Sequence, residues 1–172
     1  MMTEYNDIYD RDRNLTGRVH RRGSRWNKEE YGLVVCVWVY DGKGKVLLTR
    51  RAPEKTAAGT WENSGGAAKA GEDSLTAIVR ELREETGIIA APEEFELLDT
   101  CTERGTHYDH YCLHRDASKV RVVLQPGETD GAQWATYAQV REMIASHQIC
   151  KAIGKQFLRH EPMLLARQNP EV

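Results

Sequence analysis

The chain has 172 residues, 40% of them hydrophobic and 29% charged, which is enough for one domain with its own core and an ordinary globular composition. A formal net charge of −2 supplies no global positive field to recruit a nucleic-acid polymer or an anionic membrane. An anionic ligand would therefore be held by local groups: a metal ion, arginine or backbone N–H.

The opening MMTEYNDIYDRDR lacks the apolar core of a secretory signal, and the longest apolar run, residues 33–40, is far too short to span a bilayer. Cys36, Cys101, Cys112 and Cys150 form no C-x-x-C pair, so structural zinc and a disulfide framework are not expected. The expectation is a cytoplasmic protein with reduced thiols. Residues 1–30 read as an N-terminal extension containing a polar β-hairpin over 5–30, with Asn14 and Gly17 as turn residues. The main domain is expected over 31–160 and a C-terminal tail over 161–172, fraying after Pro162.

EYGLVVCVWVYD is Val-rich and almost continuously apolar, the pattern of a strand buried on both faces. DGKG (41–44) is a turn and KVLLTRR the returning strand. APEKTAAGT is a loop, and WENSGG a short strand leading into glycines. Residues 72–86 form the clearest helix: Leu75, Ile78, Val79 and Leu82 repeat at i, i+3, i+4 and i+7, and Gly87 stops it. Further strands are expected at FELLDTCTE, THYDHYCLHR, KVRVVL and GAQWATY. Helices follow at YAQVREMIASH and around ICKAIGKQFLRH. Strands, a central helix, more strands and closing helices describe an α/β domain with a mixed sheet.

The central helix carries Glu81, Glu84 and Glu85 on one flank beside its apolar stripe. Like charges at this spacing repel, so the cluster makes sense if a cation neutralises it. An all-oxygen set suits Mg²⁺ or Mn²⁺, completed by water and substrate phosphates. Arg80 can orient a carboxylate. Gly65 and Gly66 let backbone approach a ligand closely, and a free carbonyl there could be another oxygen ligand.

The spacing Gly66-x5-Glu72-x7-Arg80-Glu81-Leu82-x-Glu84-Glu85-x-Gly87-Ile88 resembles the signature of the Nudix hydrolases at every fixed position. The resemblance implies the Nudix fold, an α/β/α sandwich with a central mixed β-sheet. It also implies a divalent-metal site hydrolysing nucleoside diphosphates linked to another moiety, often in a homodimer. By the same resemblance, Glu81, Glu84, Glu85 and the Gly65 carbonyl would be metal ligands. Arg80 would orient the glutamates, and Glu72 would support the loop–helix junction.

Glu81 is one candidate general base, and Glu128, in QPGETDGAQWAT, is another; Glu103 is a third acid downstream of the signature. Arg50, Arg51 and Lys55 are candidates to bind the substrate's phosphates, with strand alternation turning only one of the two arginines to the site. Trp61 is read mainly as core. His107, His110 and His114 do not share one strand face, so a three-histidine metal site is not expected; they are read as exposed strand residues.

The extension, the RAPEK segment and GTWENSGG together resemble the Nudix branch of isopentenyl-diphosphate isomerase. The isomerases carry a cysteine and a histidine at the entrance of the signature and another histidine at the start of the central strand. This chain has Gly65, Ala67 and Gly32 at those places. Isomerisation needs a placed acid, so a small-molecule diphosphate hydrolase in an isomerase-like frame is expected, with an isomerase or a non-catalytic ligand sensor as alternatives.

Overall fold

The computed structural model describes residues 3–168. A two-stranded hairpin comes first, β1 (Tyr5–Tyr9) and β2 (Leu15–Arg21). Its turn lies at Asp10–Asn14, ahead of the expected Gly17. The Asp10 carboxylate accepts from the N–H groups of Asp12 and Asn14, both at 2.9 Å, and Arg13 takes the left-handed conformation with φ 67°. Gly17 instead sits inside β2 with φ 74°, in an irregular stretch between the pairs Asp7–Val19 and Tyr9–Leu15.

The main sheet has seven strands: β3 (Gly32–Tyr40), β4 (Lys45–Arg51), β5 (Trp61–Glu62), β6 (Ser64–Ala67), β7 (Glu96–Glu103), β8 (Thr106–His114) and β9 (Thr129–Thr136). β3 lies at the centre and runs parallel to β8 over its whole length, while the other pairings are antiparallel, so the sheet is mixed. The second edge of β3 is shared: Tyr40 pairs with Val46 of β4, while Val34–Val37 pair with Ala67–Ser64 of β6. The WENSGG segment is thus two short strands bonded to different neighbours.

Three helices cover the sheet, α1 (Ser74–Thr86), α2 (Tyr137–Ala145) and α3 (Lys151–Leu165). Asp73 caps α1, accepting from the Thr76 N–H at 2.7 Å, and Gly87 ends it with φ 71°. Alternate residues of β3 face opposite cores. Val35, Val37 and Val39 pack with Ala77, Ile78 and Leu82 of α1. Trp38 and Tyr40 pack on the other face with Val140 and Met143 of α2 and Phe157 and Leu164 of α3. This is an α/β/α sandwich.

Three expectations need correction. Residues 119–124 are not a strand: Val120 and Val122 anchor on the α1 core, while the Val123 N–H bonds the Thr86 carbonyl at the end of α1 at 2.8 Å. α3 does not fray at Pro162 but continues to Leu165, because Leu164 is fully buried in the core. His107 and His110 are buried rather than exposed; only His114 is open to solvent. His107 stacks on Tyr31, with Nδ1 2.7 Å from Thr102 Oγ1 and Nε2 2.8 Å from the Asp10 carbonyl, and so ties the hairpin turn to the sheet. No helix among the described residues is long and apolar enough to cross a membrane.

Leu82 is fully buried at the centre of the α1 face. Leu82→Ala should therefore cost about 2–5 kcal/mol in urea denaturation through lost transfer energy and a residual cavity; a cost under about 0.5 kcal/mol would contradict the packing described.

Candidate active site

Pairing of β6 with β3 sets Gly66 opposite Val35 and Gly65 opposite Cys36. α1 then crosses close to this backbone. A Cβ at Gly66 would lie 2.4 Å from Glu81 Oε1 and 2.5 Å from Glu81 Cδ, so the carboxylate occupies the space a side chain would need. A Cβ at Gly65 would lie 2.2 Å from the Val35 carbonyl oxygen, a backbone atom that cannot move aside. The Gly65 N–H donates to Glu85 Oε2 at 3.2 Å.

Arg80 organises the acids. Its Nε and Nη2 donate to the two oxygens of Glu72 at 2.7 and 2.8 Å, and its Nη1 reaches Glu81 Oε1 at 2.8 Å and Glu84 Oε2 at 3.1 Å. Glu72 Oε2 also accepts from the Lys69 N–H at 2.9 Å, which pins the loop before the helix. This hydrogen bonding, first that from Arg80, holds the Glu72 carboxyl below its usual range. Arg80 and Glu81 expose only 13% and 14% of their side chains, against 34% for Glu84. Among the described residues, no three His, Cys, Asp or Glu side chains already converge as a cage for a metal ion; the guanidinium stands between Glu81 and Glu84.

These groups line a cleft of about 290 Å³. The cleft is also lined by two ion pairs. Arg51 donates to both oxygens of Glu62 at 2.9 Å, and Lys55 pairs with Glu128. Both basic residues and both acids line the cleft. Arg50 faces away, as alternation along β4 requires. Its Nε bonds Asp130 Oδ1 at 2.7 Å, and its guanidinium lies over the Trp61 ring, 5.6 Å from the centroid. Trp61 itself packs half-buried against the core beneath α2 and α3, and Glu103 lies outside the cleft.

Five cleft residues outside the motif escape a reading of it, among them Gln125 in the loop before β9. Glu4, Asn6 and Arg22 come from the hairpin region, and Glu62 from β5. The signal for Glu62 was an acid on the strand entering the glycines; the hairpin residues carried no local signal at all.

Burial raises the pKa of Glu81 and of Glu62 despite their arginine partners. For Glu85 burial dominates, reinforced by the neighbouring Glu81 and Glu62 carboxylates, and its pKa is pushed up to about 8 from 4.5.

The layered fold, the glycine strand and a helix flank of half-buried acids sharing a cleft with Arg51 and Lys55 define a protein of the Nudix type. The chain belongs to the NUDIX domain family, whose model matches residues 30–152. It is 28% identical over 150 residues to an uncharacterized Nudix hydrolase of Listeria monocytogenes, covering 81% of this chain and 84% of that one. Shorter similarities are to the CTP pyrophosphohydrolase of Escherichia coli K12 (42% identity; 36% of this chain, 45% of the relative) and to isopentenyl-diphosphate Delta-isomerase of Escherichia coli (31%; 55% and 53%). The crystal structure of DR0079 from Deinococcus radiodurans shares the fold with a TM-score of 0.71 at 21% identity, covering 97% of this chain and all of that one.

Between pH 4.5 and about 8, folded Glu85 keeps a proton that the unfolded chain has released. Stability of the metal-free protein should therefore fall as pH rises through this window. Glu85→Gln should flatten that fall in urea melts recorded at about pH 5 and about pH 8. Equal slopes for the two proteins would contradict the buried carboxylate.

Proposed function

We propose that the chain is a divalent-metal-dependent hydrolase cleaving a diphosphate linkage in a nucleoside diphosphate derivative. The observation that carries this reading is the apposition of the acids Glu81, Glu84 and Glu85 to Arg51 and Lys55 across one cleft. The donor set fits a hard cation. It is all oxygen, it includes a buried carboxylate whose charge is unfavourable without a counter-ion, and Gly66 leaves the backbone bare against Glu81.

When bound, Mg²⁺ or Mn²⁺ would neutralise the diphosphate and lower the pKa of an attacking water. Glu81, Glu84 and Glu85 would hold it, with the Gly65 backbone alongside. Arg51 and Lys55 would draw the phosphates in, with Arg22 and Lys69 on the same cleft. Glu81, held by Arg80 and with its pKa raised by burial, is one candidate to take the proton from the attacking water. Glu128, bound to Lys55 on the opposite wall, is the second acid within the cleft for that role. Similarity over part of the chain to a CTP pyrophosphohydrolase supports a nucleotide substrate.

Two glycines argue against isomerase chemistry. No side chain fits at Gly65, and one at Gly32 would meet the Trp26 ring at 3.1–3.2 Å. Cys36 cannot substitute, since burial pushes its thiol up to about 12.

The test is phosphate release from a panel of nucleotide and isoprenoid diphosphates with Mg²⁺ or Mn²⁺, alongside Glu84→Gln. The variant should fold normally yet lose at least the roughly 10- to 100-fold that removal of an outer-shell metal partner costs. Unchanged turnover would sink the metal assignment. Conversion of isopentenyl diphosphate to dimethylallyl diphosphate would establish the isomerase, and no release from any substrate would favour a ligand sensor.

A further inference from the structure

Beside the acid-lined cleft lies a second cavity of about 230 Å³, between the hairpin and the start of β3. Asn6, Arg22 and Ala67 border both cavities, so the two are continuous along one wall. Their linings differ in kind. The first is crowded with charge, whereas the second is walled by Trp26, Leu33 and Val34, with His20 and Thr106 as polar groups and Arg22 as its one charged side chain.

The aromatic wall is preorganised. The Trp26 ring stacks on His20 with centroids 3.7 Å apart and planes 12° from parallel, and Ser24 Oγ lies 3.3 Å from His20 Nε2. The absence of a side chain at Gly32 lets the indole lie against β3. Asn6 Nδ2 donates to the Ala68 carbonyl at 2.6 Å, which ties the hairpin to the end of the glycine strand. Asn6, His20, Arg22 and Trp26 all precede the segment matched by the family model, residues 30–152. The extension thus supplies one side of this cavity.

We propose that this cavity is the subsite for the nucleobase of the substrate, a reading that rests on the diphosphate assignment of the adjoining cleft. The charge distribution orients the ligand. Phosphates belong among Arg51, Lys55 and the metal-binding acids, and the sugar passes the shared rim at Asn6 and Arg22. A flat, uncharged heterocycle then fills the apolar space beside Trp26. A few polar groups within an apolar lining suit a base, whose edge carries donors and acceptors, better than a hydrocarbon chain. A rigid aromatic wall also lowers the ordering cost of binding.

The test titrates the full-length protein, in Mg²⁺, with three probes: CDP or ADP, inorganic pyrophosphate, and isopentenyl diphosphate. Two variants act from opposite sides of the cavity: Trp26→Ala removes its aromatic wall, and Thr106→Phe fills it. Each should weaken nucleoside diphosphate binding roughly tenfold, as loss of one base–aromatic contact does, and leave pyrophosphate affinity unchanged. Trp26→Phe should retain most of the nucleotide affinity. Unchanged nucleotide affinity in both variants, with pyrophosphate still bound, would overturn the subsite alone. So would an equal loss for pyrophosphate, which would mark Trp26 as a prop for the hairpin, or a larger loss for isopentenyl diphosphate than for the nucleotides. Failure of wild type to bind pyrophosphate would overturn the diphosphate reading together with the subsite built on it.

Discussion

At Gly66 the Glu81 carboxylate lies where a β-carbon would otherwise stand, 2.4 Å from the position that atom would take. This close approach of an acidic helix flank to bare strand backbone is the constraint on which the cleft depends. It requires β6 to pair with β3 in the register that sets Gly65 and Gly66 opposite Cys36 and Val35. It also requires α1 to be seated by Ala77, Ile78 and Leu82 in the core on that face. A shift of one residue in β6 would turn the strand's faces over, and in one direction would bring the Ala67 side chain against Glu81.

The same approach concentrates negative charge, which is costly in a poorly solvated place. Arg80 offsets part of that cost by bonding Glu72, Glu81 and Glu84 at once. Arg51 does the same for Glu62 on the facing side. Glu85 is held by the Gly65 N–H and the Ser64 side chain, with no basic partner among the described residues, and burial beside Glu81 and Glu62 raises its pKa. Strongly shifted carboxylates of this kind cluster at functional sites, and the metal site proposed for these acids accords with that.

The hairpin completes the opposite side. It is joined to the sheet by reciprocal backbone bonds between Tyr9 and Tyr31, by the ion pair of Arg13 with Asp109, and by buried His107 under the turn. These contacts make a short two-stranded ribbon, which would be marginal alone, a fixed wall of the cleft. The ribbon also holds the loop between the glycine strand and the acidic helix, since Asn6 donates to the Ala68 carbonyl, Asp7 accepts from the Gly71 N–H and the Tyr5 carbonyl accepts from the Ala70 N–H.

Elements whose signal lies in local periodicity or capping were legible without coordinates. The apolar stripe of α1, its stop at Gly87, the doubly buried β3 and the acids on one helix flank all follow from spacing, because a helix or strand dictates which residues share a face. Other features were decided by tertiary contact. Residues 119–124 look like a strand, yet they end as a loop because Val123 bonds the carbonyl end of α1. His107 and His110 look like surface residues until strand and helix neighbours cover them. Alternation said that one of Arg50 and Arg51 faces the cleft, but only the pairing of β4 with β5 and β9 selected Arg51. The cleft's far wall, Asn6 and Arg22 from the hairpin, lies more than forty positions from the glycines it faces. By itself the sequence determined the helix, its acids and the glycines beside them, since those depend on neighbours along the chain. What faces them was decided by the folded structure, since contacts across such separations depend on how the layers pack and leave no local pattern to read.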